Sequence, residues 1–174
     1  MTNFAFWLGE LLGQSEHETA RILRDKSALH FLMAWTLFES KCFNGYVQEK
    51  EIQKYANRVA DESELQFHEL RDIAEYFHDR YQDKRLLQNL LHQKQAQPLQ
   101  AILEKPMASL AKSEIIFLVL FVLYRFRNNM FHGNKGVASW LRFKEQIELC
   151  TRAMQVCVAF QESRISTMKT PVAA

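Results

Sequence analysis

From residue 115 to 124 every position is apolar or aromatic, and the run ends abruptly in Arg125, Phe126, Arg127, Asn128, Asn129, Met130, Phe131, His132 and Gly133. A helix that is apolar all round belongs in a core rather than on a surface. Ten residues are also too few to span a bilayer, which takes about 20. The pattern predicts a buried helix, capped at its start by Ser113 and stopped by Gly133, whose end delivers polar groups to one place.

Elsewhere the apolar positions recur at helical spacing. Residues 2–12 read as a short amphipathic helix with Phe4, Trp7, Leu8, Leu11 and Leu12 on one side, ended by Gly13. Ser15 with Glu18 forms a capping box that opens a long helix through Ile22, Leu23, Leu29, Leu32, Met33, Leu37 and Phe38 to about Phe43, closed by Asn44 and Gly45. Residues 48–60 place Ile52, Tyr55, Ala56 and Val59 on one face. Asp61 with Glu64 repeats the capping pattern and starts a helix bearing Leu65, Leu70, Ile73, Ala74 and Phe77 towards Tyr81. Residues 86–91 continue that helix or begin another, the polar run 93–98 breaks it, and 99–104 form one or two turns. After Gly136 a last long helix is expected over about 137–163, with Trp140, Phe143, Ile147, Leu149, Ala153, Met154 and Val158 as its buried stripe.

Composition agrees with helices throughout. With five Gly and three Pro in 174 residues there is little turn material for a many-stranded β fold, and no stretch alternates with turn pairs. The expectation is an all-α, single-domain bundle of long helices over residues 1–165, two outer pairs around the 115–124 helix, with a disordered tail at 166–174. The first residues lack a basic signal-peptide region and no span is long enough for a membrane, so a cytoplasmic protein with no membrane partner is expected. Cys42, Cys150 and Cys157 show no CxxC spacing. On one helix Cys150 and Cys157 would lie about 10 Å apart, too far for a bridge, so all three read as packed thiols. No Cys/His array or HExxH is present, and neither a metal nor a cofactor is expected.

Charge singles out the same region as hydropathy. The net charge is only +2, yet residues 115–144 contain no Asp or Glu while Arg125, Arg127, Lys135, Arg142 and Lys144 are basic, which is where a polyanion such as RNA would settle. Phe131 and Trp140 either stack bases or belong to the core. Glu39, a carboxylate in an apolar helix, either faces this region or points to solvent.

Several Arg/His pairs recur at loose spacing: Arg24 with His30, Arg71 with His78, Arg85 with His92 and Arg125 with His132. Arg71/His78 and Arg85/His92 fall on charged helices and read as solvated faces, and Arg24/His30 sits mid-helix with its members about 120° apart. Only His132 is followed directly by Gly, which lets the chain turn its imidazole back towards Arg127. An arginine, a polar residue, and a histidine five positions after the arginine, at the end of a buried helix just ahead of the last long helix, resemble the HEPN family.

That resemblance implies a helical bundle and, in active members, a metal-independent endoribonuclease acting on RNA, of the kind found in toxin-antitoxin and antiphage systems. Arg127 and His132 match the two motif residues and Asn128 the polar position after the arginine, which makes these three the candidate catalytic residues. Arg125, Asn129, Lys135, Arg142 and Lys144 are candidate RNA-binding residues. The chemistry suits the pair, since an imidazole titrates near neutral pH and a guanidinium forks onto phosphoryl oxygens. The resemblance also implies a homodimer with a composite site, its contact held by Met130, Phe131 or Trp140, and for toxin members an antitoxin partner. Some toxin members carry a tyrosine two residues after the histidine; here that position is Asn134. Two other readings stand beside this one: a non-catalytic HEPN module that binds RNA or nucleotide or scaffolds a partner, and a helical interaction domain with no nucleic-acid role.

Overall fold

Every long regular element is a helix among the described residues, 3–62, 66–92, 94–131 and 141–169 of the structure, a computed structural model. In chain order these are α1 (Phe4–Leu12), α2 (Glu16–Arg24), α3 (Ser27–Phe43), α4 (Glu49–Val59), α5 (Phe67–Arg80), α6 (Lys84–Leu91) and α7 (Gln97–Leu103). A 3₁₀ turn, Met107–Ser109, leads to α8 (Lys112–Phe131), and the last is α9 (Lys144–Lys169). The fold is all-α. Among the described residues, no helix is long and apolar enough to cross a membrane.

The apolar run becomes α8, buried at every position from Ile115 to Leu123, with Tyr124 half-buried. Full burial of each large side chain contributes about 1.5–3 kcal/mol, and α8 brings more buried apolar residues to the core than any other helix described. It packs against α4, α5, α6, α7 and α9. The most extensive helix pair is α3 with α9, and the two run parallel: Lys144 pairs with Asp25 at one end (2.8 Å) and Lys41 with Glu162 at the other (2.8 Å). By contrast α5 runs antiparallel to α9, with Glu69 on Arg152 (2.7 Å) and Tyr76 donating to Glu145 (2.7 Å).

Local signals hold at several helix ends. The Ser15/Glu18 capping box is complete, Gly13 takes φ 61° after α1, and Asn44 takes φ 56° after α3. Ile52, Tyr55, Ala56 and Val59 are all buried on α4. Residues 84–91 form a separate helix because Asp83 accepts from the Arg85 and Leu86 amides.

Other expectations are corrected. The long second helix is two helices: Asp25 leaves the helical conformation at ψ 120°, and its carboxylate accepts from the Ser27 amide (2.9 Å) and hydroxyl, starting α3 afresh. The expected stripe Leu29, Leu32, Met33 and Leu37 is exposed, while Phe31, Trp35, Phe38 and Cys42 are buried. On α1 only Leu8 and Gly9 are buried, leaving Phe4, Trp7 and Leu11 exposed. Helix α5 begins at Phe67 rather than Asp61, and Leu65 and Glu64 lie outside the described residues. Ser113 sits inside the first turn of α8, where Glu114 instead reaches back to the Ala111 amide (2.9 Å). His78 is buried and bonds the Lys105 carbonyl through Nε2 (3.0 Å), so its face is not solvated. Arg24 and His30 fall on different helices.

The buried face of α9 includes Ile147, Cys150, Ala153, Met154, Cys157 and Phe160, whereas Leu149, Val158 and Phe143 are only half-buried. Its helix persists to Lys169, into the segment expected as a tail. The three cysteines are unpaired and buried; burial pushes the Cys42 thiol up to about 11 and those of Cys150 and Cys157 higher still.

Asp25→Ala is expected to cost about 1 kcal/mol, through the lost hydrogen bonds from Ser27 and the lost pair with Lys144. Burial pushes the Asp25 carboxyl up, but the bonds from Lys144 and Ser27 outweigh it and hold the group below its ordinary value. A group lowered in this way stabilises the fold above its unfolded value, and the contribution fades as pH falls through the folded one. Urea unfolding of wild type and variant should therefore differ at pH 7, and the difference should shrink as pH falls below the ordinary aspartate value of about 3.9.

Candidate nucleic-acid interface

The end of α8 presents its polar residues in two opposite directions. Arg125 and Asn129 are four apart and share a face, which points into the protein. Arg125 donates from Nη2 to the Leu91 carbonyl (2.9 Å) and from Nε to that of Leu90 (3.4 Å), and Asn129 donates from Nδ2 to Leu90 (3.1 Å). These are terminal carbonyls of α6, which a helix leaves without internal partners. His92 follows at φ 48° and ends that helix. Arg125 and Asn129 are thus 6% and 4% exposed and tie two helices together, so neither is placed to touch an RNA.

Two residues on, and about 200° further round the helix, the direction reverses. Arg127 is half-buried, with its guanidinium 5.4 Å from the centre of the Trp35 ring and Nη1 donating to the Asn128 side chain (3.2 Å). Trp35 is itself held: its indole N–H donates to Glu39 (2.9 Å), whose other oxygen accepts from the Val47 amide (3.1 Å). Glu39 is half-buried, and both of its carboxylate oxygens are taken up by these bonds. It fixes the loop after α3 and orients the ring under Arg127. His132 and Lys135 lie outside the described residues, as do Gly133, Asn134, Trp140 and the Phe131 side chain. Met130 is 9% exposed and packs in the core, so it cannot hold an interface between subunits.

Arg142 and Lys144 come together with residues that sequence reading missed. They line an open groove of about 690 Å³ with Arg21, Arg24, Asp25, Lys26 and Leu141. All five cations are exposed. Asp25, the one acid among the described lining residues, is already paired with Lys144 at 2.8 Å, and Lys144 also lies 3.8 Å from Glu148. That pairing raises the Lys144 ammonium above its ordinary value, chiefly through its hydrogen bond to Asp25. Phe143, between Arg142 and Lys144, meets the Phe126 ring at 6.2 Å, which sets the groove beside the end of α8. Three basic residues within 21–26 were the available signal, but only folding brings them to Arg142.

Several cations around one neutralised acid make a surface suited to a chain of phosphates, since each contact releases a counterion. Among the described residues, no group of three His, Cys, Asp or Glu side chains converges to hold a metal ion. Compared with family models, curated proteins and solved structures, the chain matches none of them.

The division between buried and exposed cations is testable by denaturant unfolding. Arg125→Ala should cost about 2–3 kcal/mol, because it removes a buried side chain and both of its hydrogen bonds to the end of α6. Arg142→Ala, at an exposed position, should stay within about 0.5 kcal/mol.

Proposed function

We propose that this chain binds single-stranded RNA along the groove of Arg21, Arg24, Lys26, Arg142 and Lys144 and cleaves it without a metal, as a HEPN-type endoribonuclease. The observation that carries the reading is this basic groove set beside the α8 end that holds Arg127. RNA recognition rests on the groove's charge, and the assignment of cleavage rests on the resemblance at Arg127, Asn128 and His132.

In this reading the phosphate backbone lies along the groove and the scissile phosphate reaches Arg127. Cleavage needs three things: removal of the proton from the ribose 2′-OH, protonation of the leaving 5′-oxygen, and stabilisation of charge on the phosphoryl oxygens. His132 is assigned one proton transfer. Arg127 is assigned the phosphoryl oxygens, where a planar fork is strongest. The Trp35 ring and the Asn128 side chain restrict its orientation, which reduces the freedom lost on binding. Because one arginine and one histidine are little apparatus, the site is proposed to be completed by a second subunit.

Arg127→Ala and His132→Ala are each expected to abolish cleavage in EDTA, with 2′,3′-cyclic phosphate ends seen only for wild type. Retention of wild-type activity by either variant with unchanged circular dichroism removes the catalytic assignment. Mixing the two inactive variants should restore part of the activity if the site is composite. RNA affinity is expected to fall steeply with salt, and Arg24→Ala or Arg142→Ala should each lower the slope of log K against log salt by about one phosphate contact. Salt-dependent binding without any cleavage would instead favour the non-catalytic module.

A further inference from the structure

Of the ten large apolar side chains exposed among the described residues, nine lie between Phe4 and Leu37. They form two rows. On α1, Phe4, Trp7 and Leu11 recur at helical spacing and are 60%, 48% and 66% exposed, with Phe6 beside them. On α3, Leu29, Met33 and Leu37 recur every fourth residue, and Met33 and Leu37 line a groove between α3 and α9.

The two rows complement one another in shape. The groove holds about 510 Å³ and is walled by Met33, Ala34, Leu37, Met154, Val158 and Ala159, with His30, Thr151 and Gln155 as its polar positions. A cavity of about 150 Å³ accommodates a benzene ring, so this one has room for roughly three ring-sized groups. The α1 row offers two rings and a leucine over about 10 Å, and the α3 wall of the groove, from His30 to Leu37, runs about 10 Å. Within one chain they do not meet: α1 packs on α2, where Gly9 lies so close to Thr19 that a Cβ would come within 3.0 Å of its hydroxyl, and on no other helix comparably. The hairpin therefore turns its apolar row away from its own body.

We propose that the α1–α2 hairpin of one copy docks its Phe4, Trp7 and Leu11 row in the α3/α9 groove of a second copy, and the reverse, giving a two-fold dimer. Both halves of the contact are on one chain, so reciprocal docking closes under two-fold symmetry and leaves neither row bare. The two half-exposed aromatics of the row offer on the order of 200 Å². The aliphatic side chains bring each copy towards the ~800 Å² that a standard interface buries per partner. A soluble monomer would otherwise keep apolar surface beyond the ~300–600 Å² usual for its largest patch. This association stands whether or not the chain cuts RNA.

Light scattering at about 100 µM should give roughly twice the 20.5 kDa chain mass. Trp7→Glu and Leu37→Glu, both at exposed positions, should each weaken association at least tenfold with unchanged circular dichroism. Mixing Trp7→Cys with Met33→Cys protein under mild oxidation should give a covalent dimer that neither forms alone. A wild-type monomer at that concentration overturns the proposal, as does a dimer indifferent to both glutamates. A Trp7→Cys/Met33→Cys double variant that closes only within one chain overturns it too, since the hairpin would then fill its own groove.

Discussion

Enclosing α8 on all sides is the constraint from which the other features follow. A helix with Ile115 to Leu123 buried must be covered round its whole circumference, and α4, α5, α6, α7 and α9 do so. Short helices such as α6 and α7 are marginal alone and persist because they bury Leu90, Leu91, Leu99, Ile102 and Leu103 against their neighbours. Their polar ends then lie in the interior, where an unpaired carbonyl costs about 1–3 kcal/mol. Arg125 and Asn129 meet that need at α6, and His78 and Gln82 do the same for the carbonyls of Lys105 and Leu103. Buried cations and amides here belong to the packing of helix ends.

That division explains why two arginines only two residues apart have different fates. Helical geometry turns Arg127 away from the face of Arg125 and onto Trp35. The Lys144–Asp25 pair pins the start of α9 to the break between α2 and α3, and this contact assembles a basic groove from residues more than a hundred positions apart. Asp25 thus has three roles: it ends α2, starts α3 and neutralises one lysine among the exposed cations.

Helix α3 illustrates the same lesson for apolar residues. Its sequence is apolar on more than one side, so spacing alone offers two stripes, one through Leu29, Met33 and Leu37 and one through Phe31, Trp35, Phe38 and Cys42. The larger rings went inward, where aromatic contacts such as Trp35–Phe38 (5.8 Å) and Phe38–Phe43 (5.1 Å) fill the core. The aliphatic stripe was left facing outward, and with α1 it makes the surface assigned above to a second copy.

Local chemistry was legible in the residues themselves. The helical class, the buried core of α8, the Ser15/Glu18 box, the stops at Gly13 and Asn44 and the α4 face depend on side chains within a turn or two of one another, so spacing suffices. The polar cluster after residue 124 was legible as a cluster, but not its partition. Whether Arg125 meets RNA or a carbonyl depends on Leu90 and Leu91, and whether Leu37 is core depends on how α9 lies beside α3. Likewise the break at Asp25 was decided by a capping bond to Ser27 together with a salt bridge to Lys144, far along the chain. Residue order determined which segments coil and which ends they cap; only packing decided which face turns inward, because burial is a property of neighbours that the chain brings from a distance.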